Sequence, residues 1–320
     1  MFNFVDFDLN KSADIVIIGG GIIGTSLAYH LSKSGIRNTC LLEQGELASG
    51  STGDSAAIIR HHYTNEISIK LVQNSISILS DLQNETGNNF LHQNGWVFLC
   101  PESANSMFNL NMSQLIELGV NTREIDINEV VSFLPNINPK GISKIAYEPD
   151  SGYADPKSVV NAFAQVADKN GVSIFTNTKV IGISKSNNQI DSVETNKGSI
   201  KTDTVINAAG PWAYSISKLA GINLPLTVSR EQEIMLTNLK QESGLTVSVS
   251  NMVDKIYLRP KGKHSILVGQ GHPKPNEIVQ PNKFNRNADN IFVDETRSRV
   301  IGRFPEFKNF DVSSSWSGLY

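Results

Sequence analysis

Three glycines in IIGGGIIG, Gly19, Gly21 and Gly24, stand in G-x-G-x-x-G spacing, and an acid, Glu43, follows them. The first glycine permits a tight turn, the second lets backbone approach a pyrophosphate, and the third lets helix and strand pack closely. A helix starting at such a turn aims unpaired N–H groups and a partial positive charge at phosphates. Glu43 ends the next strand, where a carboxylate accepts hydrogen bonds from ribose hydroxyls; its charge disfavours a 2′-phosphate, and hence NADP. The pattern reads as a dinucleotide site and leaves FAD and NAD both open.

The elements that must position these residues form one βαβ unit over residues 13–44: DIVIIG as a continuous apolar strand, the glycine turn, a helix, and NTCLLEQ as a second strand. Ile23, Leu27 and Leu31 recur at helical spacing, and Gly35 suits the helix C-terminus. The small-residue loop GELASGSTGDSA then runs into IIRHHYTNE. A helix is expected over 67–82, a strand at GWVFLC, a surface helix over 107–118 and a further helix over 159–169. VSIFT, KVIGISKSN and QIDSVETN read as short strands, and DTVINAAGPWA as a buried strand ending in small residues. EQEIMLT, TVSVSN, KIYLRP and SILVGQG alternate as antiparallel strands do.

Bulk properties narrow the field. With 320 residues, 39% of them hydrophobic and 18% charged, the chain can bury a sizeable core and exceeds the commonest single-domain length. A net charge of -3 with scattered Lys and Arg argues against nucleic acid as a partner. No apolar run suffices for a membrane span, and the opening MFNFVDFDLNKSAD is acidic where a secretory leader is basic, so the expected location is cytoplasmic. Cys40 and Cys100 lie in apolar strands without CxxC spacing; both are expected in the core, with no disulfide and no metal site. His61 and His62 are adjacent, so in a strand they face opposite sides, as packing or solvated residues without a metal-like partner.

The stretch EQGELASGSTGDSAAIIRHHYTNE resembles the D-amino-acid-oxidase-like FAD oxidoreductases, especially the sarcosine oxidase, dimethylglycine dehydrogenase and glycine oxidase branch. The similarity continues through EPDSGYADP, DTVINAAGPWA and KIYLRPKGKHSILVGQG, nearly the whole chain. It implies an α/β (α+β overall) fold: a Rossmann-like FAD-binding domain (12–88 and 150–220) interleaved with an antiparallel or mixed-sheet substrate domain (89–149 and 221–320). It implies FAD as cofactor and oxidation of the C–N bond of a small, sarcosine-like amino acid to an imine that water hydrolyses.

By the same resemblance, Ser49, Gly50, Ser51 and Thr52 line the flavin's pyrophosphate and ribityl chain, with Ile23, Gln44 and Ala57 completing that wall. Val180 meets the adenine through its backbone, and Ala209, Gly210 and Trp212 are the chain's second approach to the nucleotide. Arg60 falls where sarcosine oxidases hold the substrate carboxylate, a role the guanidinium fork suits. Tyr257 matches a tyrosine of the substrate pocket.

The chain also departs from that family. Leu267 stands where sarcosine oxidases carry an oxygen-activating lysine; loss of that charge should slow reaction with oxygen and favour a dehydrogenase with another electron acceptor. Asp54 stands near the place of the flavin-linking histidine of the dimethylglycine dehydrogenases. The family continues past the WSGLY-like segment into a glycine-rich stretch covering the flavin ring, so a fragment or shortened protein is expected. The competing readings are a partner-dependent, non-catalytic flavin subunit and an NAD-dependent dehydrogenase.

Overall fold

The structure, a computed structural model, describes residues 12–320 apart from 135 and 272. Residues 1–11, most of the acidic opening segment, lie outside the described residues.

The first strand, Ile15–Ile18, pairs in parallel with Thr39–Leu42 on one side and Val205–Asn207 on the other, and Ser173–Phe175 extends the sheet beyond Thr39–Leu42. Chain segments from three distant stretches therefore meet in one four-stranded parallel sheet. Parallel strands need crossovers, and the helix Ile22–Lys33 supplies the first. Its buried face differs from the expectation. Ile23 is 63% exposed, and the helix buries Gly24, Thr25, Ala28, Tyr29 and Ser32 instead. Small residues bring the helix axis close to the sheet, so Leu27 and Leu31 pack only at its flank.

The helix Pro156–Lys169 packs along this helix, with Tyr29 edge-on to Phe163 at 5.2 Å between ring centroids. Its start is written locally: Asp155 caps the Ser158 N–H at 2.9 Å and Pro156 occupies the first turn. Val159, Val160, Phe163 and Val166 then recur on the buried side. The long helix Glu66–Thr86 begins under an Asn65 cap and ends at Gly87 in the left-handed region. The helix Asn105–Glu117, expected at the surface, buries Phe108, Met112 and Leu115.

The second large unit is a nine-stranded mixed sheet. Its centre is Ser229–Thr237, Ser265–Gln270 and Ile256–Lys261, antiparallel in sequence, followed by Ser248–Asn251 and then Trp96–Cys100, which joins in parallel. Asp311–Leu319 runs antiparallel along the far side of Ser229–Thr237. Side chains alternate across the strands. Ile234, Leu236, Leu258, Ile266 and Val268 turn to a core closed by the helix Asn290–Arg303 and by Phe304, Phe307 and Phe310. Glu233, Tyr257, Arg259, Leu267 and Trp316 share the opposite face, which looks toward residues 54–56 of the other unit.

Cys40 and Cys100 are both buried and unpaired, in strands as expected. Among the described residues no helix is long and apolar enough to cross a membrane.

Leu258 is fully buried in the large core. Leu258→Ala is expected to cost about 2–5 kcal/mol in urea unfolding, while Ile67→Ala at an exposed helix position stays within about 0.5 kcal/mol.

Candidate functional site

A groove of about 670 Å³ runs across the C-terminal end of the parallel sheet. Gly19 adopts φ +117, a conformation side chains avoid, and a Cβ there would lie 2.4 Å from the carbonyl oxygen of Ala208. That close approach brings the turn after Val205–Asn207 against the glycine turn, so Ala208, Ala209 and Gly210 form the groove's second wall. A Cβ on Gly24 would lie 1.9 Å from the Gly19 carbonyl oxygen, which is why the helix can start so near the strand. Gly24 itself does not line the groove; it sets the packing beneath it.

Glu43 holds the groove's rim. Its carboxylate accepts the Gly20 N–H at 2.7 Å and the Gly45 N–H at 2.8 Å, tying the glycine turn to the loop after the second strand. Two bonds leave acceptor sites on the carboxylate open. Thr52 Oγ1 accepts the Ile22 N–H at 3.2 Å, and Gly21 and Ile23 at the helix start line the groove beside Ser49, Gly50 and Ser51. Ser51 Oγ is buried without a hydrogen-bond partner. An orphaned hydroxyl beside a helix N-terminus suits a phosphate oxygen, and the residues present fit a dinucleotide.

Of the expected cofactor residues, Gly19, Gly21, Ile23, Glu43, Gln44, Ser49, Gly50, Ser51, Thr52, Val180, Ala209, Gly210 and Trp212 come together around this groove. The exposure of Ile23 is thereby explained, since it stands in the groove wall. Ala57 does not line the groove; with φ +51 it turns the chain into Ile58–Ile59. Sequence reasoning missed Asn282 and Arg286, which lie across the groove from the glycine turn; Asn282 accepts the Trp212 indole N–H at 2.7 Å. They come from a stretch without motif or periodicity, so nothing local marked them.

Arg60 and Tyr257 lie outside the groove, toward the facing side of the large sheet. The Arg60 guanidinium stands 4.5 Å from the Tyr63 ring centroid and 5.8 Å from that of Trp96, and it donates to the His62 carbonyl. Trp96 donates its indole N–H to Ser250 at 3.1 Å, and Ser250 is in register with Tyr257. Trp96 and Tyr257 thus share one sheet face, and the Arg60 guanidinium lies over Trp96.

The histidines follow a different plan from the one expected. Neither lies in a strand; both are buried and both turn to the same carboxylate, Glu148. Glu148, fully inaccessible, accepts the His61 N–H at 2.8 Å and the Ser151 hydroxyl at 2.7 Å, with the His62 ring nitrogen at 3.6 Å. Burial alone would push its pKa up, but the nearby His61 and His62 imidazoles, the Ser151 hydroxyl and the His61 amide together hold it at about 2.

The second buried acid, Glu233, behaves in the opposite way. Burial dominates and pushes its pKa up to about 7, although Tyr257, Arg259 and the Ala56 amide favour the charged form. Leu267 is buried in register with Arg259, whose guanidinium lies 4.5 Å from the Tyr153 ring centroid and donates to the Ala56 carbonyl. Asp54 is half-buried, and its carbonyl accepts the Trp316 indole N–H at 3.0 Å.

A family profile described as FAD dependent oxidoreductase (DAO) matches residues 14–320. Dimethylglycine dehydrogenase of Rattus norvegicus is 32% identical over 73% of this chain and 27% of its own length. The mitochondrial pyruvate dehydrogenase phosphatase regulatory subunit of Mus musculus is 28% identical over 95% of this chain and 36% of its own. The chain thus spans about a third of these curated relatives. Sarcosine oxidase subunit beta of Arthrobacter is 28% identical over 97% of this chain and 76% of its own. Among solved structures, L-proline dehydrogenase from P. horikoshii superposes with a TM-score of 0.89 at 28% identity, over 97% of this chain and 82% of that one.

Two outcomes test the site's geometry. Ser51→Ala is expected to weaken FAD binding about tenfold, as loss of one buried donor to a charged oxygen implies; unchanged retention on gel filtration would remove Ser51 from the site. Because the pKa of Glu148 is lowered from 4.5 to about 2, its stabilising contribution is full above pH 4.5 and fades as pH falls toward 2. The stability margin of the wild type over Glu148→Gln should shrink across that window in denaturant unfolding; a constant margin would contradict it.

Proposed function

The chain belongs to the DAO family of FAD-dependent oxidoreductases, and from that premise we propose that it oxidises the C–N bond of a small amino acid or N-methylated amino acid to an imine. The observation carrying this reading is the pairing of a dinucleotide groove with a guanidinium held on an aromatic platform, Arg60 over Tyr63 and Trp96, on the sheet face beyond it. The glycine turn, Glu43, Ser51 and Thr52 would hold FAD, which would supply the acceptor for the hydride leaving a carbon bonded to the substrate's amine nitrogen.

The rest falls to this chain's own side chains. Arg60 binds the substrate carboxylate through its fork, and its aromatic neighbours restrict the guanidinium so that less entropy is lost on binding. The aromatic face of Trp96 and the Tyr257 ring exclude water and fix the amine's approach. The substrate reacts as the neutral amine, because its lone pair becomes the C=N bond, and water hydrolyses the imine afterwards. We assign electron transfer to an acceptor other than oxygen, since Leu267 offers no charge and Arg259 is turned onto Tyr153 and the Ala56 carbonyl. Division into domains at 12–88 with 150–220, and 89–149 with 221–320, belongs to the same proposal.

A partner-dependent, non-catalytic flavin subunit is the second reading. It is favoured by similarity to the phosphatase regulatory subunit and to a sarcosine oxidase subunit, and copurifying chains together with a flavin no amino acid reduces would select it.

Anaerobic mixing of the flavin-loaded protein with a panel of amino acids tests the main reading. Bleaching by a secondary amino acid, but not by the same amine without its carboxylate, is expected; a flavin that no member reduces defeats it. Arg60→Ala should raise the half-saturating concentration about 100-fold, near the cost of a lost charge-assisted pair. Stoichiometric, rapid hydrogen peroxide in air would overturn the dehydrogenase assignment.

A further inference from the structure

Glu233 is the acid that the reading above leaves unused. It sits mid-strand in Ser229–Thr237, 5% exposed, on the sheet face that also carries Tyr257, Arg259 and Trp316. Cross-strand, its neighbour is Gly269, and beyond Gly269 in the same register is Tyr257. A Cβ on Gly269 would lie 2.2 Å from the Tyr257 ring, so only glycine there lets the phenol lie across the strand. The ring does so, and its hydroxyl meets Glu233 Oε1 at 2.9 Å. The other oxygen, Oε2, is shut off from solvent and has no hydrogen-bond partner. A buried carboxylate oxygen left open costs stability unless something occupies it in the working state.

The surroundings say what that something is. Facing the carboxyl are Tyr257, Arg259, Asp54, the Ala56 amide and Trp316 in register; Glu231, two residues along, is engaged with Lys274. Burial and the charges of Glu231, Glu233 and Tyr63 push the Tyr320 pKa up while Arg60 pulls it down, so acid and guanidinium are both within electrostatic reach of this phenol. A cationic and an anionic group on either side of an aromatic floor complement a zwitterion.

We propose that Glu233 receives the ammonium end of the substrate: Oε2 accepts the N–H of the protonated amine and then its proton, leaving the amine neutral. The proposal rests on the amino-acid reading above and adds to it the group that recognises and deprotonates the amine. In the step one N–H bond breaks and one O–H bond forms; the nitrogen keeps the electron pair, and the carboxylate becomes a neutral acid. No oxidant is consumed. A pKa raised to about 7 by burial makes the carboxylate a stronger base than an ordinary glutamate, which fits a group that takes a proton from a bound ammonium. Tyr257 is a positioning residue here, holding Oε1 so that Oε2 is free.

The test uses the FAD-loaded protein and ligand pairs matched in shape: sarcosine against methoxyacetate, and L-proline against pyrrole-2-carboxylate. The second member of each pair keeps the carboxylate and lacks the ammonium. Glu233→Gln, which keeps shape but cannot take the proton, is expected to weaken the ammonium ligands about tenfold or more and to leave the amine-free acids unchanged in calorimetric binding. Equal binding of both classes by wild type and variant overturns the proposal, and so does equal loss of both, which marks a scaffold role. At about pH 8.5, where Glu233 is ionised in the ligand-free protein, infrared difference spectra of the wild type should show a protonated-carboxyl band on adding an ammonium ligand and none with its amine-free partner. Absence of that band overturns the proposal even if the variant fails to fold. Wild type that binds neither class has instead lost the amino-acid reading itself.

Discussion

A carboxylate sealed from water needs hydrogen-bond donors, and Glu148 draws one of them from the segment that carries Arg60. The His61 amide and the Ser151 hydroxyl bond to it directly, and the His62 ring closes over it against Trp96 and Phe98. Glu148 ends the strand Lys144–Glu148 of the large sheet, whereas residues 58–62 arrive from the nucleotide side. One buried charge therefore fixes the position of a loop between two sheets. Uncompensated, such a charge is among the costliest features a core can hold, so the donors cannot drift without a large penalty.

The aromatic floor depends on that anchorage. Trp96 and Phe98 stack at 5.7 Å between centroids with His62 against both, and Arg60 lies over Trp96 from the next turn of chain. A long cationic side chain with free rotamers would pay heavily in entropy to hold one orientation. Here its backbone is fixed by Glu148, and its head is confined by two rings and the His62 carbonyl. The nucleotide groove is organised on the opposite principle: it is held by missing side chains rather than by charge, and its walls close only because Gly19 and Gly24 let backbone touch backbone.

Two acids of the same type thus end with opposite tendencies. Glu148 has more donors than burial can offset, and Glu233 has too few. Beyond Ser151, three residues from Glu148, the difference lies in neighbours that the fold brings from far along the chain.

The nucleotide half was legible in the chain because its parts are local or of fixed period: a strand, a turn that only glycine can make, a helix and an acid at the end of the next strand. The caps at Asn65 and Asp155 are also local, each bonded by the amide three residues on, but the apolar spacing reads those helices as beginning later, at 67 and 159. What local pattern misjudged was the buried face of the first helix, where small residues rather than Ile23 face the sheet, and the pair His61–His62, taken as strand neighbours on opposite sides. Only tertiary structure could bring Asn282 and Arg286 across the groove, set both histidines on Glu148, or lay Tyr257 over Gly269 to reach Glu233. The physical reason is range. Backbone geometry is dictated by a residue and its near neighbours, whereas protonation and substrate-facing contacts depend on partners that strand pairing delivers from far along the chain.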